Sequence, residues 1–262
     1  MRKLFTTIFL LALSATAVQA RQQPANGGAR LIDQFGEILL SDLKARLDNY
    51  AIELQNNPAA TGLIAAYAAK HKFPGWPARR VRMMQSYLVS TRGLDPSRFS
   101  VVNAGLRNDT EFEMWIVPPG VEPPAKSFDI SLLMSGEKTP LPFDRFVVVE
   151  RGEESVSDYG EDPHPDDAYL YEYLAEVLRS DAGLRACIIG YTSRRGSSTA
   201  ARRIASRAKL AIAKSHAIDV TRVTALGGGR REYKTIELWL VPPGAPLPKP
   251  SPALRPARRK RR

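Results

Sequence analysis

From Phe112 to Val117 the chain alternates between two kinds of side chain. Phe112, Met114 and Ile116 fall on one side of an extended backbone, and Glu113, Trp115 and Val117 on the other. The same alternation returns in Ile236, Leu238 and Leu240 against Glu237, Trp239 and Val241, and both stretches run on into Pro-Pro-Gly. Sliding one copy onto the other by 124 positions also pairs Ile64 with Ile188, Tyr67 with Tyr191, Asp95 with Asp219, Arg98 with Arg222, Gly105 with Gly229 and Arg107 with Arg231. No gap is needed. Turns, strand faces and helix faces that stay in register over such a span indicate a tandem duplication.

Upstream of each final strand the pattern predicts the same elements. Leu31–Phe35 and Pro142–Phe146 lead into apolar residues suited to a first strand. Ser41 and Asp42 are placed to cap a helix whose Leu43, Leu47, Tyr50, Ala51 and Leu54 share a face; its counterpart starts near Asp166, with Leu170, Leu174, Val177 and Leu178 on one face. Leu63–Tyr67 and Ala186–Tyr191 read as buried strands. A second helix follows each, marked by Val81, Met84 and Leu88, then by Ile204, Ala208, Ala211 and Ile212. Phe99–Val102 and Val223–Leu226 are strands, followed by turns expected at Gly105 and at Gly227–Gly229.

The predicted fold is α/β, an α+β sandwich of two β-α-β-α-β-β units with helices on one face of each mixed sheet. One face of each final strand therefore meets helices, and the other carries Glu, Trp and Val. Two arrangements follow for Trp115 and Trp239: the units pack through these faces with both tryptophans at the contact, or each tryptophan is covered by its own unit's loops.

The remaining segments set the boundaries. Residues 1–20 read as a cleaved signal peptide, with a charged start, an apolar run from Leu4 to Leu13 and a small-residue cleavage site ending at Ala20. Residues 21–30 read as a flexible arm, 31–124 as the first unit, 125–141 as a linker and 142–244 as the second unit. Residues 245–262 read as a Pro-rich, basic, disordered tail. Export to the periplasm or cell envelope is the expected localisation. It changes the meaning of the net charge of +11 and pI near 9.9. An exported cationic tail meets anionic lipid surfaces or envelope polymers rather than nucleic acid.

Candidate chemistry is sparse. His71, His164 and His216 sit in unrelated contexts, and no nucleophile elbow, zinc-protease motif or phosphate-binding loop occurs. No catalytic residue, cofactor or metal is expected, and the chain reads as a non-enzyme. The single cysteine, Cys187, has no partner for an internal disulfide and lies in a buried strand as a core thiol. An insertion of about 13 residues precedes the second unit's first helix, and Glu150, Glu153, Glu154, Asp158, Glu161, Asp162, Asp166 and Asp167 fall in or beside it. Its spacing fits no EF-hand, so it reads as a solvated acidic loop. Gly227–Gly229 before Arg230 and Arg231 could cradle an anion, but a reverse turn explains the glycines more simply.

Gly190-Tyr191-Thr192-Ser193, Gly196, Ala205-Ser206-Arg207-Ala208, Ile218-Asp219, Arg222-Val223 and Gly228-Gly229 together resemble the OmpA-like peptidoglycan-associated domain. The resemblance covers residues 142–244 and extends through the repeat to the first unit. It implies an envelope protein in which an aspartate and an arginine hold the diaminopimelate of peptidoglycan, which maps the position onto Tyr191, Thr192, Ser193 and Arg207. Ser193 stands where the family's aspartate would be, and Ala68-Ala69 takes that place in the first unit, where Arg80 or Arg82 would be the arginine. The expectation is binding or scaffolding at peptidoglycan. The alternatives are a module that contacts another envelope protein without binding the wall, and an unrecognised hydrolase.

Overall fold

Each half builds its own four-stranded sheet, and the elements follow in the order that the alternation and the helical spacing predict. The computed structural model describes residues 28–150, 152 and 164–251. The first unit contains β1 (Arg30–Phe35), α1 (Leu40–Asn56), β2 (Thr61–Ala69), α2 (Gly75–Ser90), β3 (Phe99–Arg107) and β4 (Glu111–Val117). The second contains β5 (Leu141–Val147), α3 (Glu172–Ser180), β6 (Arg185–Thr192), α4 (Ser198–His216), β7 (Val223–Arg230) and β8 (Thr235–Val241). The sheet orders are β1-β4-β2-β3 and β5-β8-β6-β7. β2 and β3 run parallel, as do β6 and β7, while the remaining neighbours are antiparallel. The signal peptide, most of the expected arm, most of the acidic insertion and residues 252–262 lie outside the described residues.

The apolar face of each final strand closes the core. Phe112, Met114 and Ile116 pack with Leu43, Leu47 and Leu54 of α1 and Val81, Met84 and Leu88 of α2. Ile236, Leu238 and Leu240 do the same against Leu174, Leu178, Ile204, Ala208 and Ile212. α1 starts at Leu40, with no side-chain cap, so Ser41 and Asp42 sit inside its first turn, where Asp42 faces the positive end of the helix dipole.

Two of the repeated residues explain themselves as helix-end devices. Asp95 and Asp219 accept hydrogen bonds from the backbone N–H of Ser97 and Thr221. Arg98 then donates to the carbonyls of Leu54, Asn57 and Ala60, and Arg222 to those of Leu178, Asp181 and Leu184. Each guanidinium thus plugs the C-terminal end of its unit's first helix, where the last carbonyls lack helical partners and the dipole is negative.

Several expectations need correction. Gly105 and Gly227–Gly229 are not turns. They lie inside β3 and β7, where the register slips against Ala66/Tyr67 and Gly190/Tyr191. Gly105 and Gly229 take φ of 111° and 97°, as a bulge residue in a strand often must, and a turn and a bulge demand the same residue from the sequence. Residues 245–251 are also not a free tail: Ala245 is buried against Cys187, Ile189, Tyr191 and Val241, and the N–H of Ser251 donates to the Tyr191 hydroxyl at 3.0 Å. The expected linker contributes to a core as well, because Ile130 and Met134 from its 3-10 turn join the second unit's cluster.

The tryptophans do not mark the junction between units. The contact gathers on α2, which packs on β5 and α3. Arg79 bonds Asp144 at 3.0 Å and lies 4.9 Å from the Phe146 ring, Arg82 pairs with Glu172 and Glu176, and Gly75 is pressed against Phe143. Asp33, which stands in β1 as Asp144 stands in β5, instead takes Arg46 from its own α1 at 2.7 Å. Trp239 packs on the cluster of Cys187, Ile189, Tyr191 and Val241 in its own unit, and each indole N–H donates to the glutamate two residues before it.

Candidate functional site

In the expected ligand position, Tyr191, Thr192 and Ser193 stand at the end of β6 and Arg207 on α4. Tyr191 and Thr192 end β6 and are buried, and Ser193 opens the turn that Gly196 closes by donating to its carbonyl at 3.0 Å. A Cβ on Gly196 would collide with the Thr192 side chain, so the turn packs closely against Thr192. Arg207 lies nine residues beyond Ser198 on α4, roughly 13 Å along the helix axis.

Arg207 already has partners of its own. Its Nε donates to Asp166 Oδ1 at 3.0 Å, and its second guanidinium nitrogen meets Asp166 Oδ2 at 2.7 Å, a bidentate pair. The same nitrogen lies 3.0 Å from Nε2 of His164. Hydrogen bonding to Asp166 is the largest cause of an Arg207 pKa above its ordinary value. The acidic insertion ends against this arginine, so its last residues are fixed in place rather than a solvated loop throughout. In the first unit, Arg80 is buried, donates to the Ile38 carbonyl and has its pKa lowered to about 10, chiefly by desolvation. Arg82 is committed to Glu172 and Glu176.

A different constellation occurs twice. On the face of each sheet away from the helices, Arg107 stacks on Tyr67 at 3.4 Å from its ring centroid, and Arg231 stacks on Tyr191 at 3.5 Å. Each arginine also reaches a buried glutamate, Glu113 at 2.8 Å and Glu237 at 2.5 Å. Glu237 further accepts from the Tyr191 hydroxyl at 2.9 Å and from Trp239 at 3.4 Å; Glu113 accepts from Tyr67 and Trp115. A carboxylate shut away from water needs such donors, and here three side chains supply them, Arg231 from the residue just past β7. The bulge shapes the second copy, because a Cβ on Gly228 would sit 2.3 Å from the Tyr191 ring. Burial raises the Tyr191 and Tyr67 pKa values, so both phenols remain protonated donors at neutral pH. The signal for this cluster was present in the sequence, since all four residues are identical in both repeats.

With this geometry in view, no protein-family model matches the chain, and neither does any of the curated proteins compared with it. Among the described residues no group of three or more His, Cys, Asp and Glu side chains is placed to hold a metal ion. His164 faces Arg207, while His216 meets the Ala168 carbonyl at 2.8 Å. Cys187 is fully buried, and desolvation pushes its thiol pKa up to about 12. No described helix is long and apolar enough to cross a membrane.

Proposed function

We propose that the chain is an exported, non-catalytic cell-envelope protein whose two degenerate OmpA-like units act as a scaffold for another envelope protein. The observation that supports this over wall binding is the Arg207–Asp166 pair. In an OmpA-like reading Arg207 would receive the carboxylate of a peptidoglycan stem peptide, but Asp166 supplies that carboxylate from within the chain. An intramolecular partner acts at an effective concentration of roughly millimolar or higher, so an incoming carboxylate competes against it at a disadvantage. With Ser193 in place of the aspartate, the ligand's ammonium also loses a charge-assisted contact worth on the order of 1.5–3 kcal/mol.

The doubled Tyr–Arg–Glu–Trp clusters suit a scaffold. Each ties three strands together with its donors and acceptors turned inward, which fixes the sheet's outer face without offering reactive groups. Large apolar side chains at Leu132, Leu210 and Tyr233 remain exposed for contact. The test is a photo-crosslinking residue placed singly at Leu132, Leu210 and Tyr233 in cells that produce the chain. The expected outcome is a discrete protein adduct from at least one position. Adducts to peptidoglycan fragments alone, or no adduct from any position, would overturn the scaffold reading.

A further inference from the structure

β3 and β7 stand at the same edge of their sheets, and the two edges are finished differently. In the first unit the chain returns past the edge. The Phe128 N–H donates to the Asn103 carbonyl of β3 at 2.7 Å, and the Phe128 side chain packs beside Gly105. The repeat puts Gly227 where Asn103 stands and Pro252 where Phe128 stands, and proline has no N–H to give. Among the described residues, no backbone hydrogen bond reaches β7 from any element but β6. Gly227 is exposed, and from Val223 to Gly229 the strand carries neither a charge nor a proline of the kind that guards an open edge.

A row of cations runs along this edge. A Cβ on Gly227 would lie 3.3 Å from Arg202, so the side of α4 that carries Arg202 overlies β7. Lys209, seven residues further on, falls on that same side, about 10 Å along the axis. Arg230 ends β7 itself, and its Nε donates to the Gly196 carbonyl at 2.6 Å. None of the three has an ion-pair partner among the described residues, and α4 contains no Asp or Glu. Glu232, in the turn after β7, is taken by Arg194 at 3.2 Å.

Free backbone groups with cations spaced along them are complementary to an extended acidic segment. Main-chain hydrogen bonds supply the affinity and side-chain charge supplies the selection. A second copy of the chain fits less well, because pairing β7 with β7 sets these cations against each other. We propose that the β7 edge accepts an extended acidic segment of a partner protein as an added strand of the second sheet, with Arg202, Lys209 and Arg230 selecting its carboxylates. This rests on the scaffold reading and names a surface through which the scaffold holds its partner.

The experiment titrates the full mature chain with a fluorescein-labelled peptide of alternating valine and threonine that carries two glutamates at each end. Two control peptides run beside it: one with lysines in place of the glutamates, and one that keeps the glutamates but is methylated at the backbone nitrogens of its central residues. The expected result is saturable one-to-one binding of the glutamate peptide, at least tenfold weaker binding of both controls, and slowed amide exchange in Val223–Arg230 but not in Phe99–Arg107. Arg202→Glu/Lys209→Glu should bring the lysine peptide above the glutamate peptide, with retained far-ultraviolet circular dichroism showing that the fold persists. No saturable binding by the unaltered chain, equal binding of the methylated peptide, or protection that falls outside β7 would overturn the proposal. Such a failure beside a protein adduct at Leu132, Leu210 or Tyr233 would remove the edge and leave the scaffold reading standing.

Discussion

Replacing Arg79 with alanine should loosen the junction between units, and the size of the effect follows from burial. The Asp144 side chain is only 2% exposed and that of Arg79 21%, so removing the arginine strands a carboxylate that water hardly reaches. Breaking one partner out of a buried pair costs about 3–5 kcal/mol. Asp144 Oδ1 keeps the Arg145 N–H at 2.7 Å, which holds the cost near the lower end. Loss of the Arg79 contact with the Phe146 ring adds about 0.5–1 kcal/mol. A destabilisation of about 3–4 kcal/mol is expected by urea unfolding at neutral pH. Asp144→Ala removes the stranded charge, so the Arg79→Ala/Asp144→Ala double variant should recover at least 1 kcal/mol relative to the sum of the single changes. A loss below about 0.5 kcal/mol in Arg79→Ala, or strict additivity in the double variant, would refute the view that this pair joins the units.

Other positions give further tests. Glu237→Ala removes the shared acceptor of Tyr191, Arg231 and Trp239 and should cost about 3 kcal/mol by chemical unfolding, while Glu237→Gln should cost less because it keeps an acceptor oxygen. Gly228→Ala should destabilise by about 1–3 kcal/mol, because its methyl group overlaps the Tyr191 ring; the equivalent Ala104 shows that the first unit accommodates a Cβ there. The Cys187 thiol should be unreactive toward a disulfide reagent in the native state and react fully in denaturant; native labelling at the rate of a free thiol would contradict its burial. Hydrogen bonds from the Thr221 backbone N–H and hydroxyl depress the Asp219 pKa, so its contribution is present above the ordinary carboxylate range and is lost as pH falls through the lower folded value. Asp219→Asn should therefore flatten the fall in melting temperature below about pH 4, and an unchanged acid profile would count against that cap.

The strands and their order were legible because a two-residue alternation and a gapless repeat constrain each other. What lay beyond them was set by contacts between distant parts of the chain. Alternation placed Trp115 and Trp239 on the outer faces but carried no information on what covers them. In the second unit that cover includes Ala245, just past the Pro-Pro-Gly where the tail was expected to begin. Gly105 and Gly229 announced a positive φ, which a bulge uses as readily as a turn. Arg207 was recognisable from its helix motif, yet its partner Asp166 comes from an insertion 41 residues earlier, and local spacing does not encode that pairing. The Tyr–Arg–Glu–Trp clusters were visible only as matched letters, because their members meet across three neighbouring strands.

The most direct measurement is cosedimentation with purified peptidoglycan of a chain ending at Ser251, which removes the basic end, at near-physiological salt. It is run beside Arg207→Ala and the Asp166→Ala/Ser193→Asp variant. The account predicts that the parent and Arg207→Ala both stay in the supernatant, while freeing Arg207 and supplying the missing carboxylate draws some protein into the pellet. Binding by the parent that is lost in Arg207→Ala would contradict it, and would make the second unit a working peptidoglycan site despite its internal aspartate.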